Sequence, residues 1–281
     1  MKFDIKKINT ICISGGGNKC FTFIGALNYF IKEQNFNLTD INTFCGTSGG
    51  AIMSYFLVLG YTLEETEYFL FNLNFYKIIN TNFNLDKLID KYGLDNGEKI
   101  VFILRELLMT KYNINDITFQ ELYNITKKEF IVVGTNYTRG IEKLFSYKST
   151  PNVSVITALR ISISIPFVFI PVLFEDEYYV DGGISNHFPI NYCNPDTTLG
   201  LLIKNCVKNE INNVLDIYFN SLNIIFDTYM DRSIKNHNNM ILIVNTPEMT
   251  EKGFSNFDLN EDYKQYLLNL GYTCSKLIYE S

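Results

Sequence analysis

The chain has 281 residues, 47% of them hydrophobic and 15% aromatic, enough apolar side chain to bury a sizeable core. Its net charge of -6 and pI of about 5.1 argue against a nucleic-acid binder, whose footprint is a basic stripe. They argue equally against strong electrostatic adsorption to anionic membranes, and leave hydrophobic docking open. The only histidines are His187 and His237, which rules out a multi-histidine metal site.

The six cysteines (Cys12, Cys20, Cys45, Cys193, Cys206, Cys274) include no C-x-x-C pair and read as free thiols in a reducing compartment. The first residues, Met1-Lys2-Phe3-Asp4, carry an acid and lack a secretory-signal layout. The most apolar run, Ile161 to Phe174, is too short for a membrane span and contains Pro166 and Pro171. The expected location is intracellular, cytoplasmic or peripheral to a membrane.

Ile8 to Ile13 reads as a buried strand that runs into Ser14-Gly15-Gly16-Gly17-Asn18-Lys19-Cys20, followed by an apolar helix from Phe21 to Glu33. Consecutive glycines between strand and helix let several N–H groups converge in front of a helix N-terminus, a nest for a phosphate or a transient oxyanion. The plainer reading is a tight turn. Lys19 is either a solvated charge at the helix start or added positive potential beside the anion. The loop satisfies neither the Walker A pattern nor the dinucleotide fingerprint, for which Asp40 is only loosely placed.

Ile41 to Cys45 is strand-like, Ala51 to Leu59 helix-like, and Gly46-Thr47-Ser48-Gly49-Gly50 joins them. Strand, sharp turn and helix form the context of a G-x-S-x-G nucleophile elbow, with Ser48 presented near the positive end of the helix dipole. A glycine turn made for packing is the alternative. The two β-turn-α units predict a parallel sheet covered on both faces, with the two Gly-rich turns side by side at the carboxyl ends of adjacent strands.

From Thr62 to Lys128 the pattern is helical. Thr62 and Glu65 form a capping box, and Phe69, Leu70, Leu73 and Tyr76 follow at helical spacing. Asn80 to Asn84 reads as a loop, and Leu85–Tyr92, Glu98–Met109 and Thr118–Tyr123 as helices broken at Gly93 and Gly97. The aromatic excess here is core, or a greasy cap over a site. Glu129 to Thr135 is a strand with Ile141 to Tyr147 as its antiparallel neighbour, and Val153 to Ile161 is a helix. Tyr178-Tyr179-Val180-Asp181-Gly182-Gly183 ends a strand on a carboxylate beside two glycines, a site group or an ordinary Asp-Gly turn. Strands at Thr198–Lys204 and Met240–Val244 and helices at Ile211–Tyr229 and Tyr263–Ile278 complete the chain. No repeat or linker divides it, so residues 1–281 read as one domain: core motifs in 8–204, a helical insertion in 62–128, and 205–281 as the C-terminal part.

A serine nucleophile needs a base and an oxyanion hole. His187 lies six residues after Asp181 on one loop, poor geometry for a relay, and His237 lies in a polar loop. The favoured arrangement is a dyad in which Asp181 takes the Ser48 proton directly and the N–H groups of Gly15, Gly16 and Gly17 hold the oxyanion.

These motifs resemble the patatin-like phospholipases, relatives of the cytosolic phospholipase A2 catalytic domain. The family's G-G-G-x-[RK]-G, G-x-S-x-G and D-G-[GA] patterns stand in order as Gly15 to Cys20, Gly46 to Gly50 and Asp181 to Gly183. The stretch Ile161-Ser162-Ile163-Ser164-Ile165-Pro166-Phe167-Val168-Phe169 is similar to the family's A-S-x-A-x-P-x-x-F, and Asn186 and Pro189 match the residues after D-G-G. The resemblance covers roughly residues 8–204. It implies a three-layer α/β/α fold with a mainly parallel central sheet and a helical insertion. It also implies a Ser48–Asp181 dyad and an oxyanion hole from Gly15, Gly16 and Gly17. Lys19, Gly46, Gly50, Gly182 and Gly183 support the motifs, with neither metal nor cofactor. The implied activity is phospholipase A-type hydrolysis of lipid acyl esters, with a phospholipid or other lipid ester as substrate, a peripheral membrane surface as partner, and no nucleic acid. Cys20 replaces a glycine and Ile161 a small alanine. Lys19 in place of the commoner arginine lacks the bidentate fork. The alternatives are a neutral-lipid lipase or acyltransferase with the same dyad, a silent lipid-binding protein, and a nucleotide binder, for which no adenine or magnesium motif is found.

Overall fold

The computed structural model describes residues 4–79, 84–206, 211, 214–235, 240–247 and 259–280. Unbroken apolar runs become strands: β1 is Thr10–Ile13 and β2 Thr43–Thr47. The helix α1, Phe21–Gln34, lies between them, and α2, Gly49–Val58, follows the turn at Ser48. Then come α3 (Leu63–Asn72), α4 (Phe75–Ile78), α5 (Leu85–Lys91), β3 (Gly93–Asp95), α6 (Glu98–Tyr112) and α7 (Phe119–Thr126). Thr62 and Thr118 both cap through complete capping boxes, with Glu65 and Glu121 reaching back. The chain continues through β4 (Glu129–Asn136), β5 (Ile141–Phe145), α8 (Val155–Ser162), β6 (Phe167–Phe169), β7 (Val172–Phe174), β8 (Glu177–Asp181) and α9 (Gly183–Asn186). It closes with β9 (Thr198–Cys206), α10 (Val214–Lys235), β10 (Met240–Pro247) and α11 (Glu261–Glu280).

The main sheet runs β10-β9-β1-β2-β4-β8-β7, with β5 also on β4. The pairs from β10 to β4 are parallel, and β5, β8 and β7 add antiparallel partners. The fold is α/β with a mostly parallel sheet, as the sequence predicts. β4 has only two edges. β5 occupies one along Val132–Asn136, so β2 and β8 must share the other. β2 pairs as far as Val133, and β8 takes over at Gly134, which is opposite Asp181. The end of β2, where Ser48 follows, therefore abuts the end of β8, where Asp181 stands.

Side chains alternate across the sheet. Ile11, Ile13 and Phe44 face one core with residues of α1, α2 and α11, while Cys12, Cys45 and Leu202 face another with Phe188, Ile190 and Met230. α1 and α11 cross closely at two glycines. A Cβ on Gly25 would lie 1.9 Å from the Leu268 carbonyl oxygen, and one on Gly271 2.0 Å from that of Thr22. Tyr29, Phe30, Tyr272 and Tyr279 fill the crossing edge to face, each fully buried ring contributing roughly 1.5–3 kcal/mol.

The structure adds to the sequence reading at several points. Gly93, expected only as a helix break, opens β3, which pairs in parallel with β6. Three-residue strands joined across the chain carry no periodic signal. β5 ends at Phe145 because Ser146 starts a turn, its Oγ accepting from the N–H groups of Lys148 and Ser149. Asn84 caps α5 through the Lys87 N–H. The rest of the expected 80–84 loop, the Tyr76 side chain and His237 lie outside the described residues.

Candidate active site

Ser48 sits between β2 and α2 with φ 53° and ψ -125°. Positive φ is strained for a residue with a Cβ, and the turn holds it because its neighbours are clamped. A Cβ on Gly50 would lie 2.3 Å from the Ser14 carbonyl oxygen, and one on Gly46 2.6 Å from that of Gly50. Gly50 lets α2 start directly against the end of β1, and Gly46 lets α2 fold back onto β2. Ser48 is 7% exposed, and its Oγ donates to Asp181 Oδ2 at 2.7 Å.

Asp181 is 5% exposed, and its Oδ1 accepts from the Gly183 N–H at 2.7 Å. Burial pushes the carboxyl up to about 7, against the pull of its hydrogen bonds from Ser48 and Gly183. A carboxylate tuned to neutrality is suited to exchanging a proton with a hydroxyl. Thr135 Oγ1 fixes the Asp181 carbonyl at 2.8 Å. Gly182 leaves no room for a side chain, since its Cβ would lie 2.2 Å from the Val133 carbonyl oxygen.

The end of α8 and the segment after it tie the two groups together, a role the sequence reading did not assign. The Ser48 N–H donates to Ser162 Oγ at 2.9 Å, and the Asp181 N–H to the Ser164 carbonyl at 2.9 Å. Arg160 anchors this segment from within the core. Its guanidinium donates to the carbonyls of Asn96 and Ile170 and to Ser164 Oγ. Burial pulls Arg160 down to about 10, with Asp95 opposing the shift. The only sequence signal was the Ser-x-Ser spacing before Pro166.

The glycine loop lies on the first turn of α2: a Cβ on Gly49 would approach the Gly17 nitrogen to 2.8 Å. Gly17 has φ 52°. The Gly15 N–H donates to the His187 carbonyl at 2.9 Å, so the loop's first amide is already engaged. His187 lies under Gly15, where a Cβ would stand 2.4 Å from its Cε1, and stacks on Phe226 at 4.6 Å. Burial pulls the imidazole down to about 4, so it is neutral, and its Nδ1 has no partner. Ser48 Oγ thus meets Asp181, not histidine. Lys19 is half-buried, and its Nζ donates to Thr246 Oγ1 on β10 at 3.0 Å.

Ser48 opens into a cavity of about 120 Å³ with almost wholly apolar walls, among them Met53, Phe69, Ile103 and Ile165. α3 and α6 cover it, so the aromatic-rich helices between α2 and β4 are both core and roof. Among the described residues, no helix is long and apolar enough to cross a membrane.

The sequence profile of the patatin-like phospholipase family matches residues 11–193. The uncharacterized protein R571 of Acanthamoeba polyphaga mimivirus is 30% identical over 292 residues, covering 96% of this chain and 93% of that protein. The probable lipid hydrolase 463L of Invertebrate iridescent virus 6 is 33% identical over 191 residues, 66% of this chain and 63% of the relative. The crystal structure of VipD from Legionella pneumophila superposes with a TM-score of 0.67 at 16% identity, over 98% of this chain and 67% of VipD. That likeness speaks for the fold, and the profile and the sequence relatives speak for descent. With the family's profile spanning both Ser48 and Asp181, this chain belongs to the patatin-like phospholipases.

Proposed function

We propose that this protein is a lipid acyl hydrolase of the phospholipase A type, using Ser48 as nucleophile and Asp181 as general base and acid. The observation that carries this reading is the 2.7 Å bond to a buried carboxylate from Ser48 Oγ, whose residue lines an apolar cavity. Asp181 accepts the Ser48 proton as Oγ attacks the ester carbonyl. The oxyanion that forms is held by the N–H groups of Gly16 and Gly17, at the start of the turn that leads into α1, where the dipole favours negative charge. Gly15 belongs to the same hole but braces it, its own N–H being bonded to His187. Asp181 then protonates the leaving alcohol, and water activated by Asp181 releases the fatty acid.

The substrate enters from a lipid surface. Leu85 and Ile89 on α5, Tyr92 at its C-cap, Phe102 on α6 and Phe167 on β6 are exposed apolar side chains. This favours apolar docking, consistent with the acidic net charge. A fluorescent alkyl fluorophosphonate tests the reading. One adduct by intact mass on wild type and none on Ser48→Ala is the expected result, together with fatty-acid release from phosphatidylcholine vesicles by wild type alone. An adduct that persists on Ser48→Ala refutes the assignment.

A further inference from the structure

Away from the dyad, three cysteines that are remote in sequence come together. Cys12 and Cys45 are register partners on the adjacent parallel strands β1 and β2, so both side chains leave the same face of the sheet. Cys193 follows the short 3-10 turn Ile190–Tyr192 and folds back onto that face. The three sulfur atoms all lie within 4.8 Å of one another. Cys12 and Cys45 are fully buried, and Cys193 is 8% exposed. The thiols of Cys45 and Cys193 both point at one acceptor, the Pro189 carbonyl, at 3.8 and 3.9 Å. The apolar cluster they belong to includes Ile131, Phe188, Ile190, Leu202 and Met230.

We propose that Cys12, Cys45 and Cys193 form a three-sulfur site for one soft, monovalent metal ion of the copper(I) class. The donor set decides the class. Sulfur alone repels hard cations, which take oxygen. Structural zinc wants four ligands. Among the described residues, no histidine or carboxylate joins the three sulfurs within ligating distance of one another. Thiolates without nitrogen or oxygen partners favour copper(I). The dyad chemistry uses none of these thiols, so the cluster is independent of the proposed reaction.

There is also a way in. A cavity of about 510 Å³ opens at the starting ends of β1, β2 and β4, remote from Ser48. Cys193 lines it, together with Thr10, Thr43, Glu129 and Tyr192. A metal handed over through this polar cavity meets Cys193 first and then the two strand cysteines behind it. Each thiol that coordinates gives up its proton to water through the same opening. The bound ion links β1 and β2 to the segment that follows Asp181, so it acts as a clip between the halves that carry the dyad. Because it binds the folded chain, it raises thermal stability.

The test uses the full chain, reduced and kept anaerobic. Copper(I) is titrated against the chelator bathocuproine disulfonate, and bound copper is counted after desalting. The expected result is one copper per chain, a sulfur-only first shell by X-ray absorption, and a raised melting temperature. Cys193→Ser, at the cavity wall, weakens binding at least about a hundredfold because a hydroxyl replaces one of three soft donors. Cys274→Ser and Ser48→Ala bind as wild type does, which separates this site from the hydrolase reading. No stoichiometric copper on the wild type overturns the proposal, as does wild-type affinity in Cys193→Ser. Nitrogen or oxygen ligands in the absorption spectrum overturn it too, and that readout needs no variant to fold. Tighter retention of zinc than of copper(I) refutes the metal assignment.

Discussion

With Asp181 as the proposed base, its raised proton affinity sets the pH dependence expected of activity. Its carboxyl is pushed to about 7 by burial, and only the ionised form can take the Ser48 proton. The competent fraction is about one half at pH 7, about one tenth at pH 6 and about one hundredth at pH 5. The second-order rate of Ser48 phosphonylation, and kcat/KM on a soluble short-chain ester, should therefore rise about tenfold per unit below pH 7 and level off above about pH 8. Stability runs the other way. The folded carboxyl holds its proton more tightly than the unfolded one, so folding is disfavoured progressively from about pH 4 to about pH 7 and evenly above that. A shift from 3.8 to about 7 corresponds to an effect on the order of 4 kcal/mol. Asp181→Asn carries no charge to desolvate. It should lose about 10²–10⁴ in rate while melting higher than wild type at pH 8 and close to it at pH 4. Labelling rates across about pH 5 to 9 at constant ionic strength, with circular dichroism confirming the fold, are the assay. A flat profile between pH 5 and 8 refutes the reasoning, and so does an Asn variant less stable than wild type at pH 8.

Three further outcomes follow from named contacts. Ser162→Ala removes the acceptor of the Ser48 N–H, so kcat should fall with KM little changed, and unfolding free energy should fall by about 1–3 kcal/mol; unchanged kcat would show that this bond does not hold the elbow. Arg160→Lys cannot satisfy the carbonyls of Asn96 and Ile170 together with Ser164, and should cost about 3 kcal/mol in urea unfolding; a wild-type midpoint would contradict that account. Gly50→Ala places a methyl 2.3 Å from the Ser14 carbonyl oxygen, where backbone must move; soluble protein with a wild-type melting temperature would disprove the close approach.

What could be read in the sequence was local. Strands and helices followed from apolar runs and caps, such as Thr62 with Glu65. The elbow was legible because strand, turn and helix lie within a few residues. The pairing of Ser48 with Asp181 came from setting aside the two histidines and then from motif order and resemblance, since nothing along the chain says that β2 and β8 share one edge of β4. The same limit hid Arg160, whose partners Asn96 and Ile170 belong to separate segments. It also hid Cys193, which joins Cys12 and Cys45 only through the path of the chain after α9. It hid the partner of Lys19 as well, Thr246 on the distant strand β10.

Three locally unfavourable features meet at the candidate site. Ser48 holds a positive φ, Asp181 is buried at a cost in charge solvation, and His187 leaves Nδ1 without a partner in the core. Each is unfavourable by roughly 1–3 kcal/mol or more. All three adjoin the glycine loop or the start of α2, where the ends of β1, β2 and β8 meet. A chain selected only for stability would replace each cheaply: glycine at 48, asparagine at 181, phenylalanine at 187 against Phe226. Locally unfavourable residues persist where they act. Their meeting around Ser48 and Asp181 supports the site proposed above alongside the motifs.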